Sequence, residues 1–293
     1  MKFPSVLSQP WWAARFFAIF SENARKREAD VKILNRLFEI QAVSFGYAKK
    51  SVLRDFSLNL NAGVFYGIIG PNGCGKSTLI DLMIGHQQPT TGYIRYKGKA
   101  LNTYPRKALS QEIALVPQNF YINFPFTSQE VVMMGRYPHI ARFAAPSDED
   151  NRILQDIMAQ TDTLAFANRF ITELSGGERQ RVIFARALAQ DAPVLLLDEA
   201  TSNLDINHTI TVLNMAAERV VKQHKTVIAV MQDINLAALF CDELIFMQQG
   251  SVAAHGPVKT VLNEEILRSV FQVESKVQFD PYSQAMQVIY KKR

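Results

Sequence analysis

Apolar and polar side chains alternate along residues 38–45, 51–60 and 64–69. A two-residue period is that of strands with one buried face. Helical spacing of the apolar positions follows at residues 76–85, 148–163 and 178–190, where neighbours three and four apart share a face. Between the helices stand short runs that are apolar throughout, at 113–116, 194–197, 227–231 and 244–247. Such runs mark parallel strands buried on both faces. Residues 121–171 carry no convincing strand pattern and read as helical. The pattern predicts an α/β core, an antiparallel β section near its start and an inserted α-helical section at about 120–185. There are no internal repeats and no low-complexity tract.

Residues 1–37 read differently and are taken as an N-terminal extension. Trp12, Phe16, Ile19 and Phe20 recur on one helical face, with Arg15 and Glu22 opposite. A short amphipathic helix of this kind suits a membrane surface or a partner. A packed or disordered leader, or an upstream start codon wrongly chosen, accounts for the same residues more plainly. A secretory signal fits less well, because Arg15 interrupts the apolar stretch and no small-x-small cleavage site follows.

Composition narrows the class. Of 293 residues, 48% are hydrophobic and 20% charged, which is globular rather than disordered. No apolar run approaches the roughly 18 residues of a spanning helix. Two cysteines, Cys74 and Cys241, make no disulfide framework and suit a reducing compartment. The net charge of +5 invites a nucleic-acid reading, but it is concentrated at the ends. Residues 1–38 carry +4, Lys291, Lys292 and Arg293 carry +3, and the body between is slightly acidic. A nucleic-acid protein spreads basic residues over a folded face, so none is expected as a partner.

The first chemical signal is Gly70-Pro71-Asn72-Gly73-Cys74-Gly75-Lys76-Ser77, followed by Thr78. It fits G-x-x-x-x-G-K-[ST] between a strand pattern and a helix pattern, the context this phosphate-binding motif requires. Its glycines let backbone N–H groups approach phosphate oxygens, and the helix start adds its dipole. Lys76 supplies a charge for the β and γ phosphates, and the Ser77 hydroxyl can ligate Mg²⁺. Cys74 reads as a small variable residue of the loop, with redox sensitivity the alternative.

The second signal is the run 194–199, four aliphatic residues followed by Asp198 and Glu199. Two acids at the end of a buried strand cost too much to serve packing. Asp198 is placed to hold Mg²⁺ through water, and Glu199 to polarise a water for attack on the γ phosphate. Just before it lies Leu174-Ser175-Gly176-Gly177-Glu178-Arg179-Gln180. With the loop, with Gln118 in Val116-Pro117-Gln118, and with Ser202-Asn203-Leu204-Asp205, this run resembles the ATP-binding subunits of ABC transporters.

The resemblance covers about residue 38 to the C-terminus. It implies a P-loop NTPase fold, with a RecA-like parallel sheet, an antiparallel β subdomain and the helical insertion. It implies ATP with Mg²⁺, sandwiched between two copies of the chain in a head-to-tail homodimer. In such a dimer Ser175, Gly176 and Gly177 dock on the γ phosphate held by the other copy. By the same resemblance Tyr47 stacks on adenine, Gln118 touches Mg²⁺ or the water, and Asp205 lies at the dimer seam. Gly135-Arg136-Tyr137-Pro138-His139, and the tail from Gly256 to Val273, are similar to importer subunits for iron–siderophore, haem and cobalamin complexes. The implied partners are two membrane permease subunits and an extracytoplasmic binding protein, with this chain peripheral on the cytoplasmic face. The rivals are a soluble ATPase of the same class acting on DNA or ribosomes, and an exporter subunit. Two lone cysteines, no sustained heptads and a single cassette weigh against the first; the Gly135–His139 run leans against the second.

Two positions depart from the family. Where its members carry a histidine after the strand at 227–231, this chain has Gln232-Asp233. An amide can donate a hydrogen bond but cannot titrate. The expectation is a working, slower ATPase in which Gln232 donates to the γ phosphate, with Asp233 capping the next helix. A second departure, Ala200 where proline is common, looks minor.

Overall fold

In this computed structural model residues 36–292 are described, apart from 49, 119, 121 and 203. The N-terminal reading, including Trp12, Phe16, Ile19 and Phe20, lies outside the described residues.

The strands are β1 (Arg36–Tyr47), β2 (Lys50–Asn61), β3 (Phe65–Ile69), β4 (Thr91–Tyr96), β5 (Lys99–Ala100), β6 (Ile113–Val116), β7 (Val194–Asp198), β8 (Thr226–Val230), β9 (Glu243–Gln248), β10 (Ser251–Pro257), β11 (Ser275–Asp280) and β12 (Ala285–Tyr290). Six form one sheet in the order β10-β9-β3-β8-β7-β6. Within it β9, β3, β8, β7 and β6 run parallel, and β10 closes one edge antiparallel. Every residue of β3, β7 and β8 is buried, which is why these segments are written as continuous apolar runs. A second sheet, β2-β1-β4-β5, is antiparallel throughout.

Alternation divides the interior into two cores, one on each face of the parallel sheet. Phe65, Ile69, Leu195, Leu197, Val227 and Ala229 join the core that holds the helical insertion. Tyr66, Ile68, Val194, Leu196, Ile228 and Val230 join the one that holds the antiparallel sheet.

The helices are α1 (Lys76–Met83), α2 (Arg106–Glu112), α3 (Ser128–Met133), α4 (Asp148–Gln160), α5 (Gly176–Ala189), α6 (Ile206–Gln223), α7 (Ile234–Phe240), α8 (Val258–Val261) and α9 (Glu264–Phe271). The inserted region contains α3, α4 and α5, each opened by a capping box: Thr127 with Glu130, Ser147 with Asp150, and Ser175 with Glu178. One isolated bridge, Thr127 to Phe170, is its only β contact among the described residues. Among those residues no helix is long and apolar enough to cross a membrane.

Register places the site. Val230 of β8 pairs with Ile68 of β3 on one side and Asp198 of β7 on the other. The carboxyl ends of these strands are therefore level, and the segments that follow them, starting at Gly70, Glu199 and Met231, converge. Ligands of open α/β sheets bind outside such strand ends.

Candidate nucleotide site

The loop after β3 leads into α1 through Gly75, whose φ of 108° is open to glycine but strained for other residues. Two backbone bonds hold the loop. The Cys74 N–H donates to Pro71 O at 3.3 Å, and the Gly250 N–H donates to Cys74 O at 3.1 Å. Lys76 curls back over the loop, and its Nζ donates to the Gly70 and Pro71 carbonyls at 2.8 and 3.1 Å. It is 6% exposed, and among the described residues no ion pair joins it to a carboxylate. A buried ammonium in this condition is poised for an anionic ligand. Cys74 lies buried under the loop, and burial pushes its thiol up, so the redox alternative has no support.

A cavity of about 650 Å³ opens over the loop. Of the predicted residues, Tyr47, Asn72, Gly73, Gly75, Lys76, Ser77, Thr78, Gln118, Glu199 and Gln232 line it. Gly70 and Pro71 contribute the carbonyls beneath it. Tyr47 stands at the rim, half exposed, with Phe45 edge-on at 5.0 Å between ring centroids. Lys50 and Arg54 of β2 also line the cavity. These two cations were not anticipated, and the signal for them was the basic residues beside Tyr47.

Asp198 ends β7 with its Oδ1 accepting from the Ser77 hydroxyl at 3.1 Å. Burial pushes its carboxyl above the usual range, against the pull of the Ser77 bond and of Lys76. Glu199 follows with φ 48°, a left-handed conformation for a residue with a side chain, which costs about 1–3 kcal/mol. Its N–H donates to Val230 O at 3.2 Å. Its Oε2 accepts two bonds, from Gln118 Nε2 and from Gln232 Nε2, both at 2.7 Å.

Ser175, Gly176, Gly177 and Asp205 do not line the cavity. Ser175 caps α5, its Oγ accepting from the Glu178 N–H at 3.3 Å while Glu178 Oε2 accepts from the Ser175 N–H at 2.8 Å. Gly176 is exposed, and a Cβ built on it meets nothing within 4 Å. Nothing in the described chain asks for glycine there. Asp205 caps α6, accepting from the His208 N–H at 2.9 Å and pairing with His208 Nδ1 at 2.8 Å. These bonds hold its carboxyl below the usual range. Within one chain α5 still reaches the cavity wall indirectly, since Gln180 Nε2 donates to the carbonyl of Ala200, the residue after Glu199.

The family model for the ABC transporter matches residues 53–202. The chain belongs to that family. A cobalamin import ATP-binding protein of Halobacterium salinarum is 40% identical over 250 residues, which are 85% of this chain and 62% of that protein. The chain thus spans less than two thirds of that relative's length. An iron(3+)-hydroxamate import ATP-binding protein of Bacillus subtilis is 34% identical, covering 82% of this chain and 90% of its own. A hemin import ATP-binding protein of Thermobifida fusca is 36% identical, covering 82% and 83%. Among solved structures, one described as a metal-chelate type ABC transporter in an inward-facing conformation superposes with a TM-score of 0.75. It is 27% identical and covers 88% of this chain and 98% of its own. A dimeric ATP-binding cassette, MJ0796, bound to ADP and Pi after hydrolysis, gives 0.68 at 27% identity, covering 76% and 99%.

The Gly135–His139 run of this ABC family member proves to be a structural lock in the described fold. Arg136 is buried, its Nε donating to Asp150 Oδ1 and its second nitrogen to Ala189 O, both at 2.9 Å. His139 Nε2 bonds the Gln190 carbonyl at 2.8 Å. The run therefore joins the start of α4 to the end of α5. The basic tail is also partly matched. Lys291 Nζ lies 2.9 Å from Glu274 Oε2.

Gln232 lines the cavity and gives one N–H of its amide to Glu199 Oε2 at 2.7 Å, a partner its sequence did not announce. Asp233 does cap α7, its Oδ1 accepting from Asn235 N and Leu236 N at 2.8 and 3.0 Å.

The residues also fit Mg²⁺. Among the described residues no cluster of three or more His, Cys, Asp or Glu could hold a metal unaided. The oxygens at hand, Ser77 Oγ and Asp198, are the hard donors that Mg²⁺ accepts when substrate phosphates complete its shell.

Proposed function

We propose that the chain is the ATP-binding and hydrolysing subunit of an ABC importer, with cargo of the iron–siderophore, haem or cobalamin kind. The observation that carries this reading is one cavity lined by the phosphate loop, Ser77 and Glu199, with Asp198 bonded to Ser77 behind it. The import functions in the relatives' names support the cargo class.

On this reading Tyr47 stacks on adenine, and the loop N–H groups from Asn72 to Thr78 cradle the phosphates. Lys76 exchanges the Gly70 and Pro71 carbonyls for phosphate oxygens. Ser77 and Asp198, with Gln118 nearby, hold Mg²⁺. Bound there, Mg²⁺ neutralises charge on the β and γ phosphates. Glu199 accepts a proton from the attacking water.

Two copies pair head to tail. The open space at Gly176 is then filled by the γ phosphate in the other copy, bound by Ser175, by the Gly176 and Gly177 N–H groups and by the start of α5. Asp205 caps α6 at the seam. The dimer works beneath two permease subunits on the cytoplasmic face, with an extracytoplasmic binding protein delivering cargo.

A second cavity, about 630 Å³, supports the membrane partner. Arg186 lines it without a carboxylate partner among the described residues, stacked 4.2 Å over the Phe120 ring. Burial pulls its guanidinium down to about 10. A cation left uncompensated beside a cavity suits an acidic side chain of a permease.

The test is ATP turnover by the chain assembled with its membrane subunits in lipid. Wild-type turnover above that of Glu199→Gln is expected. Equal rates overturn the reading.

A further inference from the structure

Glu178 is the one acid in the first turn of α5, on the helix start that docks on a phosphate in the reading above. Its Oε2 accepts from the Ser175 N–H at 2.8 Å. An acid there suits the helix itself, because the helix start is the positive end of its dipole. It does not suit an anion arriving at the same place, where like charges repel.

The charge is answered from outside the helix. Arg169 Nη1 donates to Glu178 Oε1 at 3.3 Å, so each carboxylate oxygen has its own partner. Arg169 is itself held in place. Its Nη2 donates to Glu173 O at 3.0 Å. Its N–H donates to Phe166 O at 3.0 Å, and its carbonyl accepts from the Ser128 N–H at 2.9 Å and the Ser128 hydroxyl at 3.1 Å, at the start of α3. The neighbouring charged groups are engaged elsewhere. Arg181 Nη1 donates to Asp162 O at 3.2 Å, Arg179 Nη2 donates to Leu174 O at 3.3 Å, and Glu173 Oε2 accepts from the Phe170 N–H at 3.3 Å. Among the described residues Arg169 is the one cation in an ion pair with Glu178.

In the single chain the two side chains are 48% and 26% exposed, and a pair so placed adds little to folding. Covered by a second copy, it loses the screening of water. A carboxylate left without its cation beside a phosphate then becomes costly.

We propose that Arg169 is a positioning residue for the dimer: by pairing with Glu178 it fixes and cancels the acid on the start of α5, and so lets that start receive the γ phosphate held by the other copy. It acts through Glu178, and it does not line the cavity of its own chain. The proposal rests on the functional reading above.

The experiment is a double-mutant cycle of R169A and E178Q in the full chain with Glu199→Gln, followed by light scattering as Mg-ATP is added. Glutamine at 178 keeps the capping bond and drops the charge. R169A weakens ATP-driven dimerisation about 10- to 100-fold, since each dimer contains two such faces. Made on E178Q, the same R169A change costs at most about twofold, because the charge it answered is gone. Mg-ADP binds R169A within about twofold of its parent, since Arg169 lies away from the cavity. R169A dimerising like its parent overturns the proposal and leaves the functional reading standing. A full deficit that persists on E178Q also overturns it, because the loss then comes from the Glu173 bond and not from charge. Loss of Mg-ADP binding in R169A overturns it as well, since that loss reports a damaged fold. A parent that does not dimerise with Mg-ATP overturns both.

Discussion

The Ser77 hydroxyl donates to Asp198 Oδ1 at 3.1 Å across 121 residues of sequence. The bond joins the first turn of α1 to the end of β7, and so links the phosphate loop to the acidic strand end. Asp198→Asn should remove the charge that Mg²⁺ needs while keeping the shape. Nucleotide affinity in Mg²⁺ should fall about 10- to 100-fold, as for loss of a charged contact. With EDTA present the two proteins should bind alike. Fluorescent-nucleotide titration in both buffers checks this, and an equal deficit in EDTA would contradict it.

Ser175 and Gly176 should matter to assembly more than to folding. Ser175→Ala removes a helix cap and should cost about 1 kcal/mol of stability. Gly176→Val meets open space in the single chain, so its melting temperature should stay near that of wild type. In a head-to-tail dimer the same side chain stands against phosphate. ATP-driven dimerisation, followed by light scattering in the Glu199→Gln background, should be lost. A Gly176→Val dimer as stable as its parent would rule out this face as the docking surface.

Arg136 and Asp150 make a buried pair at 2.9 Å. Removing one partner strands the other charge, so Arg136→Ala should cost about 3–5 kcal/mol. The Ser147 hydroxyl and the Arg136 guanidinium hold the Asp150 carboxyl down to about 2. Its folded value lies below its unfolded one, so its contribution to stability is complete above about pH 4. That contribution is lost as the pH falls through 4 toward 2. Urea midpoints of wild type and Asp150→Asn should therefore converge over that window and remain apart at neutral pH. A constant gap would show that the pair does not titrate as described.

Asn235 ties the C-terminal hairpin to α7. Its Oδ1 accepts from the Val288 N–H at 2.7 Å, and its Nδ2 donates to the Val288 carbonyl at 3.3 Å. The side chain imitates a strand partner for β12, three residues after Gln232. Asn235→Ala leaves both backbone groups unpartnered, at a cost of about 1–3 kcal/mol. Hydrogen exchange should quicken in β11 and β12 while β3, β7 and β8 keep their protection. Unchanged exchange at Val288 would remove the hairpin's anchor from this account.

Much of this was legible beforehand because it is written in local pattern. The apolar runs that became β6, β7, β8 and β9 needed only their own residues to be read, since a strand covered on both faces has no polar alternation. The phosphate loop and the cap at Asp233 were equally local, the cap being a short-range bond between a side chain and nearby backbone. The hairpin of β11 and β12 was missed. Its burial is mixed, with much of it exposed, and what secures it is Asn235, some fifty residues away. The Gly135–His139 run showed its family resemblance but not its cause, which is the reach of Arg136 to Asp150 and Ala189.

The sequence by itself determined the fold class, the loop that receives phosphates and the acids at the end of β7, because each is carried by neighbours along the chain. Only the tertiary structure decided what those groups touch. Register between Ile68, Val230 and Asp198 makes three strand ends level. That alignment brings Gln118 and Gln232 to one oxygen of Glu199. Hydrogen bonds between residues 81 and 33 positions apart depend on how strands pair in space, and no local period encodes that.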